Sequence, residues 1–395
     1  MVVGKIAVIY LLCARKARKP IVKELQAREV DAPTMERFFQ EIAKEKPVRF
    51  TAQQLCSFTA NYSTTLGSGG FGVVYKGLFL NGVKIAVKVL NRSPDRQAGE
   101  QFMAEVGTIG RTYHMNLVRL YGFCHDQFMS ALVYEYLENG SLDKYLFSEA
   151  REIEWEKLHH IAVGTAKGIA YLHEECVQRI IHYDIKPGNV LLDANFFPKV
   201  ADFGLAKLCN RDNTHLTVSG YRGTPGYSAP EFLLKNHPIT HKCDVYSFGM
   251  LLFEIVGRRR NAKLGSNESM DWFPKHVWEE YEKGDLAAMT VACGIEEKDR
   301  EKAERMSMVA LWCVQDSPDS RPLMSAVVKM LEGGVEVIPP PKPFHYLYSV
   351  GMNVLQQANG TGTSSSYATS KETDSIWYKE TTPIMAKYEI QVASS

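Results

Sequence analysis

Two polar clusters flanking a short apolar stretch constrain this 395-residue chain more than any other feature. The first is His182-Tyr183-Asp184-Ile185-Lys186-Pro187-Gly188-Asn189. The strand-like run Val190–Leu192 follows, and Asp202-Phe203-Gly204 comes thirteen residues after Asn189. Each polar residue has a chemical reason to be present if the chain handles a phosphoryl group. A carboxylate must orient the attacking hydroxyl and accept its proton, which Asp184 can do. Lys186 supplies a cation near the transferring group, and Asn189 and Asp202 offer hard oxygen ligands for Mg²⁺. A loop aspartate is more often a turn former or helix cap, but that reading leaves the joint spacing unexplained.

Upstream, Leu66-Gly67-Ser68-Gly69-Gly70-Phe71-Gly72 contains the pattern G-x-G-x-x-G, a weak signal alone. A dinucleotide site would need a helix opening at the third glycine. Here Val73-Val74-Tyr75 follows, a β-branched and aromatic run that favours a strand. The sequence therefore predicts a glycine hairpin whose bare backbone can lie over phosphates. Asn81-Gly82 predicts a second hairpin turn leading into the alternating strand Val83–Leu90. That strand carries Lys88, sixteen residues past Gly72, where a lysine reaching phosphates is expected. A lone strand lysine is otherwise a solvated residue. Phe102, Val106 and Ile109 recur at helical spacing, and Glu105 beside that stripe can reach Lys88 and fix its amine.

Composition excludes other classes. Forty-six Lys and Arg nearly balance 45 Asp and Glu, so the +1 net charge gives no reason to expect nucleic-acid binding. Apolar residues at 45% and charged residues at 23% exclude a disordered or fibrous chain. With no C-x-x-C pair, most of the eight cysteines read as core residues in a reducing compartment. At the start, the apolar run Ile6–Ala14 precedes Arg15, Lys16, Arg18 and Lys19. Nine residues span about 13 Å, under half of a hydrocarbon core of roughly 30 Å. The pattern reads as the cytoplasmic edge of a membrane anchor, or as a membrane-surface or solvated start, with Cys13 a candidate for palmitoylation. Val2 excludes N-myristoylation. Residues 1–20 thus form an apolar and basic membrane-proximal segment, and 21–60 a connector with one or two short helices. Residues 61–337 are continuously globular. The Pro-rich and then Gly/Ser/Thr-rich stretch 338–395 is expected to be a disordered tail.

Taken in order, these motifs resemble the eukaryotic protein kinases. The glycine loop, Ala86-Val87-Lys88, the helix glutamate, H-x-D-x-K-x-x-N, Asp-Phe-Gly and Ala229-Pro230-Glu231 all appear in sequence. The resemblance implies an α+β bilobal fold with a β-rich N-lobe at 61–137, carrying one main helix, and a mainly helical C-lobe at 138–337. ATP would lie between the lobes, with Mg²⁺ on Asn189 and Asp202. Leu66, Gly67, Ser68, Gly69, Gly70, Phe71, Gly72, Val73 and Val74 would cover the nucleotide. Val133–Leu137 would be the hinge, Tyr134 its gatekeeper, and backbone groups of Glu135 and Leu137 the holders of adenine. Asp244 would anchor the buried C-lobe helix and Arg321 would pair with Glu231. Lys186 and Thr224 match the serine/threonine pattern.

A narrower resemblance is to plant receptor-like kinases of the leaf-rust-resistance type. It is carried by Pro47–Thr51, Phe102–Leu120, Leu132–Leu146 and Asp244–Gly249. It implies protein substrates with Ser or Thr hydroxyls, and a receptor or co-receptor at a membrane. The kinase domain would be cytoplasmic, here without an ectodomain; a soluble cytoplasmic protein is the alternative. A scaffold pseudokinase is the competing function, but its usual sign is loss of the lysine, the catalytic Asp or the metal Asp, and Lys88, Asp184 and Asp202 are all present. Tyr183 stands where most kinases carry arginine, a cation that a phosphate on the activation segment normally neutralises. Activity is therefore expected to depend weakly on phosphorylation of Thr214, Thr217, Ser219 or Tyr221.

Overall fold

The computed structural model describes residues 47–69, 72–91, 97–127, 129–148, 153–210, 223–234, 238–264 and 270–345. The membrane-proximal reading of 1–20, the candidate Cys13, Gly70, Phe71 and the hydroxyls of Thr214, Thr217, Ser219 and Tyr221 lie outside these residues. Among the described residues no helix is long and apolar enough to cross a membrane.

The N-lobe is one six-stranded sheet of β1 (Val48–Arg49), β2 (Thr65–Gly69), β3 (Gly72–Leu78), β4 (Lys84–Leu90), β5 (Leu120–His125) and β6 (Ser130–Glu135), in the order β1-β5-β6-β4-β3-β2. The period-2 alternation of β4 sorts its side chains. Ile85 and Val87 are buried with Val133 and Ala131 on the outer face, so Ala86 and Lys88 face the opposite side. Helix α2 (Gln97–Thr108) covers that inner side with Phe102 and Val106, and Ile109 continues the stripe in a following 3-10 turn.

The segment read as a connector joins the lobe from Val48 onward, earlier than residue 61. Strand β1 adds to β5 in parallel, Val48 opposite Gly122, and a side chain at Gly122 would strike the Val48 carbonyl. Thr51 then caps α1 (Ala52–Phe58) through a reciprocal capping box with Gln54. The helix buries Leu55 against the sheet's outer face, and Phe50, Phe58 and Phe79 meet with ring centroids 5.2–5.7 Å apart. Without this cover, Ile85, Val87 and Val133 would face water, which is why an apparently linking sequence carries aromatics at these spacings.

The C-lobe is built on α3 (Trp155–Ala170) and α4 (Lys242–Gly257), surrounded by α5 (Phe273–Lys283), α6 (Leu286–Ala292), α7 (Glu297–Cys313) and α8 (Met324–Leu331). Helix α4 is buried all round, as an apolar sequence with little sidedness requires of a central helix. Eight residues of the expected tail are held. Trp312 Nε1 donates to the Ile338 carbonyl (2.8 Å) and Gln315 Nε2 to that of Pro341 (2.9 Å). Phe344 is fully buried, its ring 4.6 Å from that of Trp272. Residues 346–395 lie outside the described set.

Arg321 and Glu231 pair as the resemblance implies. The guanidinium donates to both carboxylate oxygens, at 2.7 and 2.8 Å, and its remaining N–H groups reach the carbonyls of Gln315, Lys242 and Asp316. Both side chains are fully buried, so removing one leaves an uncompensated charge. Arg321→Met is expected to cost about 3–5 kcal/mol in chemical denaturation. Arg305→Ala, which removes a helix-surface pair with Glu301, should leave the midpoint nearly unchanged.

Candidate active site

The cleft between the lobes has a volume of about 590 Å³, within the range of small-molecule sites. Its roof is the β2–β3 hairpin, which pairs Gly69 with Gly72, Ser68 with Val73 and Gly67 with Val74. Leu66, Gly67, Ser68, Gly69, Gly72 and Val74 line the cleft, whereas Val73 lies on the alternate face. Gly72 adopts φ +146°, and a Cβ there would lie 2.1 Å from the Val89 carbonyl oxygen, so only glycine lets β3 run this close to β4. The back of the cleft is Tyr134, Glu135 and Leu137, and its floor includes Asn189, Leu191 and Asp202.

Lys88 occupies the inner end. Its Nζ donates to Glu105 Oε1 on α2 and to Asp202 Oδ1, each at 2.7 Å. Burial opposes the ammonium, but the two carboxylates outweigh it and hold Lys88 well above the usual lysine range. Burial pushes the Glu105 carboxyl up to about 7, against the pull of Lys88 and with the help of Asp202. For Asp202 the burial effect is overcome by Lys88, which keeps its carboxyl below the usual range. The Tyr134 hydroxyl donates to the second Glu105 oxygen. Sequence reading places Tyr134 in the cleft but misses this bond. The β4–β6 register sets Tyr134 opposite Ala86, on the sheet face that also carries Lys88 and meets α2.

The outer end is organised around Asp184. Asn189 Nδ2 donates to the Asp184 carbonyl (2.8 Å) and to Oδ2 (2.9 Å). Lys186 Nζ lies 2.9 Å from Oδ2 and donates to Thr224 Oγ1 at 2.7 Å, while the Thr224 hydroxyl donates to Asp184 Oδ1 at 2.5 Å. Thr224 thus closes a ring with the carboxylate and the lysine, a contact across forty residues that motif spacing alone does not reveal. His182 is buried; its Nε2 donates to the Ala201 carbonyl at 3.0 Å and its Nδ1 accepts from the Asp184 amide at 3.2 Å, tying the loop to the strand before Asp202.

From the first turn of α4, fully buried Asp244 accepts the backbone N–H groups of His182 and Tyr183, each at 2.8 Å, and His173 Nε2 at 2.9 Å. Tyr183 and Asp202 both adopt left-handed backbone conformations, with φ +67° and +64°. Such conformations are uncommon for side-chain-bearing residues and cluster at functional sites. The Tyr183 ring packs edge-on to Phe232, centroids 6.0 Å apart, so an aromatic contact stands where the resemblance implies a cation.

Comparison with known proteins places this geometry. The family model described as protein tyrosine and serine/threonine kinase matches residues 60–331. The rust resistance kinase Lr10 of Triticum aestivum is 46% identical over 319 residues, covering 78% of this chain and 49% of that protein. A PR5-like receptor kinase of Arabidopsis thaliana is 42% identical, covering 75% and 45%. A G-type lectin S-receptor-like serine/threonine-protein kinase of the same plant, At5g24080, is 48% identical, covering 76% and 34%. The chain therefore spans half or less of the length of these relatives. At this identity, over a match that takes in both ends of the cleft, the chain belongs to the protein tyrosine and serine/threonine kinase family.

Proposed function

We propose that the chain is a protein serine/threonine kinase of receptor-like type, dependent on ATP and Mg²⁺. The observation that carries this reading is the ring of Asp184, Lys186 and Thr224, set across the cleft from the Lys88–Glu105–Asp202 cluster. A carboxylate with one oxygen held by a hydroxyl and the other by an ammonium is oriented rather than free. Asp184 can align a substrate hydroxyl and take its proton, and Lys186 can neutralise charge on the transferring group. Lys88 remains an ammonium throughout the physiological range and is positioned by Glu105 to meet phosphate oxygens. The backbones of Glu135 and Leu137 offer an acceptor and a donor to adenine, and the paired strands β2 and β3 roof the phosphates through Leu66–Gly69, Gly72 and Val74.

The donor set at the floor suits a hard divalent cation. Asn189 commits its amide nitrogen to Asp184, which leaves Oδ1 as its acceptor, and Asp202 contributes a carboxylate beside it in the cleft lining. Mg²⁺ held there would screen the negative charge between the β- and γ-phosphates. The scaffold alternative would be favoured by loss or displacement of Lys88, Asp184 or Asp202, and the tight contacts of all three support catalysis instead.

The relatives' names, and the Lys/Arg cluster after Ile6–Ala14, support a kinase domain on the cytoplasmic side of a membrane, acting on Ser or Thr of protein partners that include a receptor or co-receptor. The near-neutral charge supports no role with nucleic acid.

The direct test is Mg²⁺-dependent transfer of the γ-phosphate from ATP to a generic Ser/Thr substrate. Asp184→Asn should lower kcat by about 10²–10⁴-fold and leave ATP binding intact; a folded parent chain that binds ATP without transferring phosphate would favour the scaffold. Because a charged Glu105 holds Lys88, the rate should fall as pH drops through about 7, and Glu105→Gln should flatten that limb. An unchanged acid limb in the variant would assign the titration elsewhere. With Tyr183 packed on Phe232, replacing Thr214, Thr217, Ser219 and Tyr221 together should lower the rate by less than about 100-fold, or 2.7 kcal/mol. A larger loss would show that activation-segment phosphorylation controls the enzyme.

A further inference from the structure

The Glu135 side chain is engaged behind the cleft, on the side away from the glycine hairpin. Its Oε1 accepts the Arg119 backbone N–H at 2.8 Å and lies 3.0 Å from Lys199 Nζ. Its own backbone N–H donates to the Arg119 carbonyl at 3.0 Å, so Glu135 and Arg119 close a two-bond ring. Both members of the ion pair are mostly buried, with side chains 16% and 20% exposed. The pair is therefore less screened by water and salt than a surface bridge.

Lys199 sits on β8 (Pro198–Val200), which pairs with β7 (Val190–Leu192), Lys199 opposite Leu191. Asn189 immediately precedes β7, and Asp202 lies three residues past Lys199. The same strand is fixed to the chain leading into Arg119. Val118 N–H donates to the Val200 carbonyl (2.9 Å), Val200 N–H to that of Asn116 (2.9 Å), and Asn116 Nδ2 to that of Pro198 (3.0 Å). A closed circuit of contacts thus runs from Glu135 through Arg119 and β8 and returns through the Lys199 ammonium.

We propose that Lys199 is a positioning residue for the nucleotide: through its ion pair with Glu135 it fixes the peptide that receives adenine relative to the strand pair that carries Asn189 and Asp202. The inference rests on the ATP reading above. The backbone of Glu135 can meet a base well only if its rotation is restrained, and restraint before binding spares ordering cost on binding. The Arg119 ring restrains it from the N-lobe, and Lys199 restrains it from the strand pair at the cleft floor. Lys199 touches neither reacting atoms nor substrate, so its effect should appear in the binding of one ligand and not in the chemical step.

The test is steady-state kinetics of the full chain, varying ATP and peptide separately, for Lys199→Met, Lys199→Arg, Glu135→Gln and the Glu135→Gln/Lys199→Met double variant. Lys199→Met should raise KM for ATP about fivefold while kcat and KM for peptide stay within about twofold. Lys199→Arg should restore most of the ATP affinity, and the double variant should cost no more than either single change because one interaction is lost. An unchanged KM for ATP in Lys199→Met would overturn the proposal. So would equal rises for ATP and peptide, which indicate general loosening, or additive losses in the double variant. A parent chain with no ATP-dependent transfer would instead refute the underlying kinase reading. Should Lys199→Met be poorly folded, Glu135→Gln carries the same expectation for ATP.

Discussion

The candidate active site depends on one fully buried carboxylate outside the cleft lining. Asp244 has no contact with solvent, yet it receives two consecutive backbone N–H groups from the loop bearing Asp184 and a third hydrogen bond from His173. Charge-assisted bonds in such an interior are strong, and losing any one would leave a buried polar group unsatisfied. The left-handed backbone at Tyr183 persists because Asp244 and Phe232 hold it from two sides. Helix α4 is in turn the most enclosed element of the C-lobe, so the loop inherits the rigidity of the core. Fixed placement of groups is most of what a phosphoryl-transfer site must supply.

The chemistry at the two ends of the cleft differs in kind. At Asp184, itself buried, the partners are a hydroxyl, an amide and an ammonium, which orient the carboxylate. At Lys88 one cation serves two carboxylates, and a phenol takes the remaining Glu105 oxygen. The second arrangement sets two carboxylates on one ammonium, and burial, aided by Asp202, raises the Glu105 carboxyl. Movement of α2 would change the Lys88, Asp202 and Tyr134 contacts together, because all three meet on Glu105 or its partner.

Much of this was legible in the sequence because the candidate site residues lie in short stretches of chain. The pairing of β2 with β3 and the loop from His182 to Asn189 are local objects, and their spacing reports their geometry. The fold class followed from the same motifs through family resemblance. Contacts that join distant segments were not legible: Thr224 on Asp184, Tyr134 on Glu105 and Lys199 on Glu135 arise from register and loop return, which no local period encodes. At both edges packed residues lie beyond the expected 61–337, for a related reason. Proline-rich and mixed aromatic-charged stretches look like linkers when the apolar face they cover lies elsewhere in the chain, as Ile85 does for Leu55 and Trp272 for Phe344.

The full burial of Leu55 and Phe344 separates two meanings of a domain. The family model matches residues 60–331. The span that completes the apolar interior runs from the strand at Val48 to the aromatic plug at Phe344. The family model thus covers less than the unit that packs as one body. A polypeptide cut to residues 60–331 would keep every residue of the cleft and still bare greasy surface at both ends, inviting self-association through faces that these packed segments cover.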